Sequence, residues 1–141
     1  MRKYKILIVE NDEDELFFMK ESFNASGLFD IIGDAKNGNT LFEWLSGKPA
    51  EVLPDIILSD LNMPGKNGYD ILSEIRENQD YARIPVVITS TSNIKSVMEK
   101  CLQMGASDYL VKPESFIDYA DYAKDLHHRC SIKIQNGSVS G

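Results

Sequence analysis

The chain has 141 residues, 43% of them hydrophobic and 26% charged, which is the make-up of one ordinary globular domain and not of a disordered chain. With 15 Lys and Arg against 22 Asp and Glu the net charge is −7, so a polyanion is repelled on average and direct nucleic-acid binding is disfavoured. The longest apolar run, Ile6 to Val9, is too short for a membrane span or a secretory signal, and Cys101 and Cys130 form neither a metal-type pair nor a disulfide framework, so a cytoplasmic setting is expected.

Residues 4–9 are apolar and β-branched and predict a buried strand. The acidic stretch from Asn11 to Glu15 follows and leads into Leu16, Met19 and Phe23 at helical spacing, with Asn11 or Asp12 as the cap and Gly27 as the stop. A short strand is predicted at 29–32, then a helix opening at Asn37 that carries Leu41, Trp44 and Leu45. A third strand at 55–59 runs into the turn-rich Asp60-Leu61-Asn62-Met63-Pro64-Gly65, and Gly68 precedes a helix with Ile71, Leu72 and Ile75. The fourth strand is expected at 84–89. Ile94, Val97, Met98, Cys101 and Leu102 then mark the most regular amphipathic helix, stopped by Gly105. Residues 108–111 predict a fifth strand, and 115–129 a last helix. The Gly/Ser-containing end, 131–141, reads as a tail, so that 1–130 is one domain with no separate output domain.

Five strand–helix alternations imply a parallel α/β sheet with right-handed crossovers and helices on both faces. Chemistry in such sheets gathers at the carboxyl ends of the strands. That edge selects Glu10, Asn11 and Asp12, then Asp60, then Thr89-Ser90-Thr91, then Lys112-Pro113. Clustered carboxylates repel one another unless a cation neutralises them, and an oxygen-only set without His or Cys suits Mg²⁺ or Mn²⁺. With Lys112 and a hydroxyl alongside, the charge pattern is that of a phosphoryl-handling site with Asp60 as the candidate nucleophile. Each residue also has a plainer reading: Asp60 as a turn cap, Glu10 and Asp12 as helix-start acids, Lys112 as a solvated lysine and Tyr109 as core. His127 and His128 read as solvated or interface residues, and Asp118, Asp121 and Asp125 as one wet helix face.

Taken together, Ile6-Leu-Ile-Val-Glu10-Asn11-Asp12, Asp55-Ile-Ile-Leu-Ser-Asp60 with Asn62-Met63-Pro64-Gly65 and Gly68, Ile84-Pro85-Val-Val-Ile-Thr-Ser90, and Gly105-Ala106 with Tyr109 and Lys112-Pro113 resemble the receiver domain of two-component response regulators, of the stand-alone type. The resemblance implies a flavodoxin-like (βα)5 fold with strand order 2-1-3-4-5. It implies that Asp60 accepts a phosphoryl group from a histidine kinase or a histidine phosphotransfer protein. It implies a Mg²⁺ or Mn²⁺ ion held by Glu10, Asn11, Asp60 and the backbone carbonyl of Asn62. Ser90 falls at the switch-hydroxyl position, Tyr109 at the aromatic switch position and Lys112 at the phosphate-contacting lysine. Pro64, Gly65, Gly68 and Pro113 shape the loops, and the Lys112–Pro113 bond is often cis in such domains. The resemblance further implies a bacterial cytoplasmic protein, not an enzyme, that acts on a downstream protein or relays the phosphoryl group, as a monomer or a phosphorylation-linked dimer. On phosphorylation Ser90 would move and Tyr109 would turn inward, changing the face made by the fourth helix, fifth strand and fifth helix. A narrower likeness to phytochrome-associated receivers rests on the acidic start and on the 79–83 spacer.

One position departs from the family. Asn11 stands where a second metal-binding acid is usual, so the site loses a unit of charge, and Asp12 would need a local rearrangement to replace it. The alternative is therefore a receiver-like interaction module that works without phosphorylation. A hydrolase of the aspartyl-phosphate type would want an acid at position 62, where Asn62 cannot donate a proton as one.

Overall fold

The computed structural model describes the backbone of residues 2–140 and the side chains as far as residue 133. Five strands, β1 (Tyr4–Val9), β2 (Phe29–Ala35), β3 (Ile56–Asp60), β4 (Val86–Ser90) and β5 (Asp108–Val111), form one parallel sheet in the order β2-β1-β3-β4-β5. Between and after them run α1 (Glu13–Ser26), α2 (Gly38–Leu45), α3 (Gly68–Glu77), α4 (Lys95–Gln103) and α5 (Tyr119–Ser140). This is the doubly wound, flavodoxin-like arrangement implied by the sequence.

The alternation of side chains along each strand divides the interior in two. Leu7, Val9, Ile57, Val86, Ile88 and Tyr109 pack with Leu41 and Leu45 of α2, Ile71 of α3 and Cys101 of α4. Ile6, Ile8, Ile56, Leu58, Val87 and Leu110 pack with Met19 and Phe23 of α1 and with Tyr119, Tyr122 and Leu126 of α5. The caps follow local chemistry. The Asp12 carboxylate accepts from Glu15 N–H at 2.9 Å, and Gly27 ends α1 in the left-handed region at φ 70°. Asn37 caps α2, and Asn67 with Asp70 forms a reciprocal capping box on α3.

Several boundaries differ from the sequence reading. β2 extends to Ala35, because parallel pairing with β1 continues past Ile32 despite its polar residues. β4 starts at Val86, after Pro85, which has no N–H for the ladder. Ser115 caps a short 3-10 turn, Phe116–Asp118, so α5 starts at Tyr119 and not at Ser115. At its other end α5 continues to Ser140 through the segment read as a tail. No Gly or Pro interrupts the chain between Arg129 and Gln135, so no local break was available there. Gly141 lies outside the described residues.

The α4 stripe is less buried than its regularity suggests. Cys101 is fully buried and Val97 and Met98 are half-buried, but Ile94 and Leu102 are 59% and 45% exposed. His127, expected at the surface, is buried between Tyr4 and Phe29, with Nε2 2.7 Å from the Arg2 carbonyl oxygen. Asp118, Asp121 and Asp125 are exposed as expected. Both cysteines are buried and free, and burial pushes the Cys130 thiol up to about 12. Among the described residues no helix is long and apolar enough to cross a membrane.

Candidate functional site

Strand register alone brings the polar residues of the carboxyl edge together. Val9 pairs with Ser59, so Glu10 and Asp60 leave adjacent strands side by side. Asp60 pairs with Thr89, Ser90 pairs with Val111, and Lys112 N–H donates to the Ser90 carbonyl at 2.8 Å. Glu10, Asp60 and Lys112 also share strand parity with Ile8, Leu58 and Leu110, so all three side chains lie on the α1/α5 side of the sheet.

The Lys112 ammonium is the hub of this site. Its Nζ lies 2.8 Å from Glu10 Oε1, 2.8 Å from Glu15 Oε1 and 3.3 Å from Asp60 Oδ1, and its side chain is 8% exposed. Glu10 also accepts from Asp12 N–H at 3.1 Å. Burial pushes the carboxyls of Glu10 and Asp60 above the usual range, against the opposing pull of Lys112. Burial alone would lower the Lys112 ammonium, but hydrogen bonds to Glu10 and Glu15 and the charge of Asp60 hold it above its ordinary value. The Lys112–Pro113 bond is trans, since no cis peptide occurs among the described residues, and the lysine reaches the cleft without one.

The two neighbouring hydroxyls of β4 point to opposite faces. Thr89 accepts from Tyr122 OH at 2.7 Å on the α5 side. Ser90 has the other parity, on the α4 side, and its Oγ accepts from Ser92 N–H at 3.2 Å. Tyr109 shares that side. It is already turned inward, 4% exposed, with its hydroxyl donating to the Ser92 carbonyl at 2.8 Å. The sequence reading has Tyr109 turn inward when Ser90 moves; here the ring is inward with Ser90 bonded to Ser92 N–H, and the Ser92 carbonyl gives the buried hydroxyl an acceptor.

The loop after Asp60 is tied down by its own backbone. Leu61 N–H donates to the Thr89 carbonyl at 3.1 Å and Gly68 N–H to the Leu61 carbonyl at 2.9 Å. Gly65 adopts φ 76°, and Lys66 N–H donates to Asn39 Oδ1 at 3.1 Å, joining this loop to α2. Pro64 is exposed and Pro113 half-buried.

For a divalent cation the buried oxygen donors are the Glu10 and Asp60 carboxylates. Asn11 and Asn62 are exposed at the rim, with the Asn11 side-chain amide and the Asn62 backbone carbonyl as further oxygens. Asp12 is occupied as the α1 cap. Among the described residues no group of three His, Cys, Asp or Glu side chains is arranged as a ready metal site. Two desolvated carboxylates plus neutral oxygens still fit Mg²⁺, which keeps several waters and needs few protein ligands. Beside them, a cleft of about 320 Å³ is lined by Glu10, Asn11, Glu13, Leu16, Asp34 and Lys36 among others.

Sequence reasoning missed Glu15 and Tyr119. Glu15 belongs to the acidic stretch that opens α1, yet it is half-buried and pairs with Lys112, and Tyr119 OH donates to the same Oε1 at 2.9 Å. Strand parity carried the available signal, because it directs Lys112 toward α1 and α5.

A family model described as "Response regulator receiver domain" matches residues 6–123. The chain is 36% identical over 125 residues to the two-component response regulator ARR7 of Arabidopsis thaliana, covering 76% of this chain and 61% of that protein, so it spans less than two thirds of that relative's length. The phosphorylated cyanobacterial phytochrome response regulator RcpA has a similar structure, with TM-score 0.75 and 26% identity over 88% of this chain and 91% of that one. The Mn²⁺-bound response regulator Rcp1 gives TM-score 0.72 and 26% identity over 87% and 91% of the two chains. Matches in plants as well as bacteria reach wider than the bacterial setting suggested by sequence.

Proposed function

The chain belongs to the response regulator receiver domain family of two-component signalling, and on that premise we propose that it is a phosphoryl-accepting switch centred on Asp60. The single observation that carries this reading is the meeting of Asp60, Glu10 and Lys112 within one buried cleft, with Lys112 Nζ 2.8 Å from Glu10 and 3.3 Å from Asp60.

Transfer breaks the P–N bond of a donor phosphohistidine and forms an O–P bond at the Asp60 carboxylate. Lys112 sits where it can meet the new negative charge, and Ser90 offers a hydroxyl on the far side of the sheet edge. A Mg²⁺ or Mn²⁺ ion bound by Glu10 and Asp60, with Asn11 and the Asn62 carbonyl, would supply positive charge to the phosphoryl oxygens. A protein donor also needs a foothold. Phe18 of α1 stacks on Phe116 at 4.1 Å between ring centroids, and Phe17, Phe116 and Ile117 expose apolar surface. The likeness to RcpA supports a photoreceptor-type kinase as the narrower class of input. Output on this reading runs through contact with a protein or by passing the phosphoryl group onward, and Asn62 in place of an acid disfavours rapid hydrolytic turnover.

Intact mass measured after incubation with a small-molecule phosphodonor and Mg²⁺ tests the reading. The wild type is expected to gain the mass of one phosphoryl group, and Asp60→Asn to gain none. Equal gain by both proteins, or no gain by the wild type, overturns it. The second of these outcomes is the one predicted by a phosphorylation-independent module, for which Asn11 is the motive. Asn11→Asp restores the missing carboxylate. It is expected to lower the Mg²⁺ dissociation constant by roughly three- to tenfold, since ligand charge count sets affinity in such sites, as read by calorimetric titration.

A further inference from the structure

An ammonium has three protons, and here three carboxylates surround it. Glu10 and Asp60 belong to the proposed phosphoryl site, but Glu15 does not: it projects from the first turn of α1 and lies 2.8 Å from Lys112 Nζ. Glu15 is fixed at both ends. Its backbone N–H is held by the Asp12 cap at 2.9 Å, and its Oε1 accepts from Tyr119 OH of α5 at 2.9 Å. Tyr119 is itself buried and packs edge-on against Tyr122. Glu15 is therefore not a mobile surface acid that drifts into range; the fold aims it at Lys112.

We propose that Glu15 is a built-in competitor for Lys112, holding the ammonium against α1 so that an incoming phosphoryl group must win it away. Glu15 is then a positioning residue that acts on the phosphorylated state through Lys112. When the phosphoryl oxygen accepts the ammonium hydrogen bond in its place, Glu15 keeps only its Tyr119 partner. The exchange alters a link between β5, α1 and α5 that is unrelated to Ser90 and Tyr109. The inference rests on the phosphoacceptor reading of Asp60 and adds to it a residue that sets how firmly the charged group is held.

Beryllofluoride, a phosphoryl mimic, is the probe, titrated calorimetrically into the whole chain in the presence of Mg²⁺. Glu15→Gln is expected to bind it about tenfold more tightly than the wild type, because a hydrogen bond between charged groups no longer has to be surrendered. In a Lys112→Gln background the same Glu15→Gln change is expected to alter affinity by no more than about twofold, whereas a merely structural effect would persist there. Should Lys112→Gln not fold, Glu15→Asp replaces it. That variant keeps the charge but is a methylene too short to hold Lys112, and it is expected to tighten binding as Glu15→Gln does. Unchanged or weaker binding by Glu15→Gln, a full effect in the Lys112→Gln background, or wild-type affinity in Glu15→Asp overturns the competition while leaving the phosphoacceptor reading intact. A wild type that takes up no beryllofluoride overturns both.

Discussion

Lys112→Ala is expected to lose about 3–5 kcal/mol of folding stability at neutral pH, the usual cost of removing one partner from a buried ionic group. The side chain is 8% exposed and neutralises Glu10, Glu15 and Asp60, of which Glu10 and Asp60 are themselves buried. Without it those two carboxylates keep the full cost of desolvation. The loss should depend on pH in a definite direction. Burial already raises both groups above their ordinary values of 4.5 and 3.8. Removing the ammonium that opposes this raises them further. Above the ordinary values the folded chain then binds more protons than the unfolded chain, so stability falls as pH rises through the raised range. Urea unfolding at several pH values should show the gap between variant and wild type widening from mildly acidic to alkaline solution, and narrowing when Mg²⁺ is added. A gap that is constant with pH would mean that Lys112 contributes packing and not charge.

Gly68→Ala comes next in size, at about 2–3 kcal/mol, by overpacking against atoms that cannot step aside. A Cβ there would stand 2.9 Å from Leu61 Cα and 3.0 Å from the Asp60 carbonyl oxygen, both backbone atoms. Gly27→Ala is the control. Its φ of 70° makes an added Cβ strained, but no atom lies within 4 Å of that Cβ, so about 1–2 kcal/mol is expected. Thermal denaturation separates the two in magnitude. Phosphodonor uptake separates them in kind, since only Gly68→Ala displaces the backbone that carries Asp60. Equal uptake by both variants would show that the loop absorbs the methyl group.

The sheet and its edge were legible because strand runs, turn residues and Asp or Asn caps are local signals. Asp12, Gly27 and Asn37 act where the sequence placed them. The carboxyl-edge rule then picked Glu10, Asp60, Ser90 and Lys112 without any knowledge of distances. The rotation of each helix about its axis was not legible, because it depends on which neighbour the helix packs against. Glu15 and the solvated acids beside it look alike in sequence, and only the packing of α1 on α5 turns one of them inward. The same reason hides the α4 face, where a regular apolar stripe ends up half in water. His127 was misplaced by its polarity: its neighbours Tyr4 and Phe29 arrive from distant parts of the chain, as does its Arg2 carbonyl partner.

Thr89 and Ser90 are consecutive, yet one hydroxyl is bound to Tyr122 of α5 and the other to the backbone that leads into α4. The sheet between them works as a bulkhead. Its rim borders two compartments, one holding Tyr109 and the other Tyr119 and Tyr122. Side chains in one compartment can therefore be substituted while the contacts of the other stay in place.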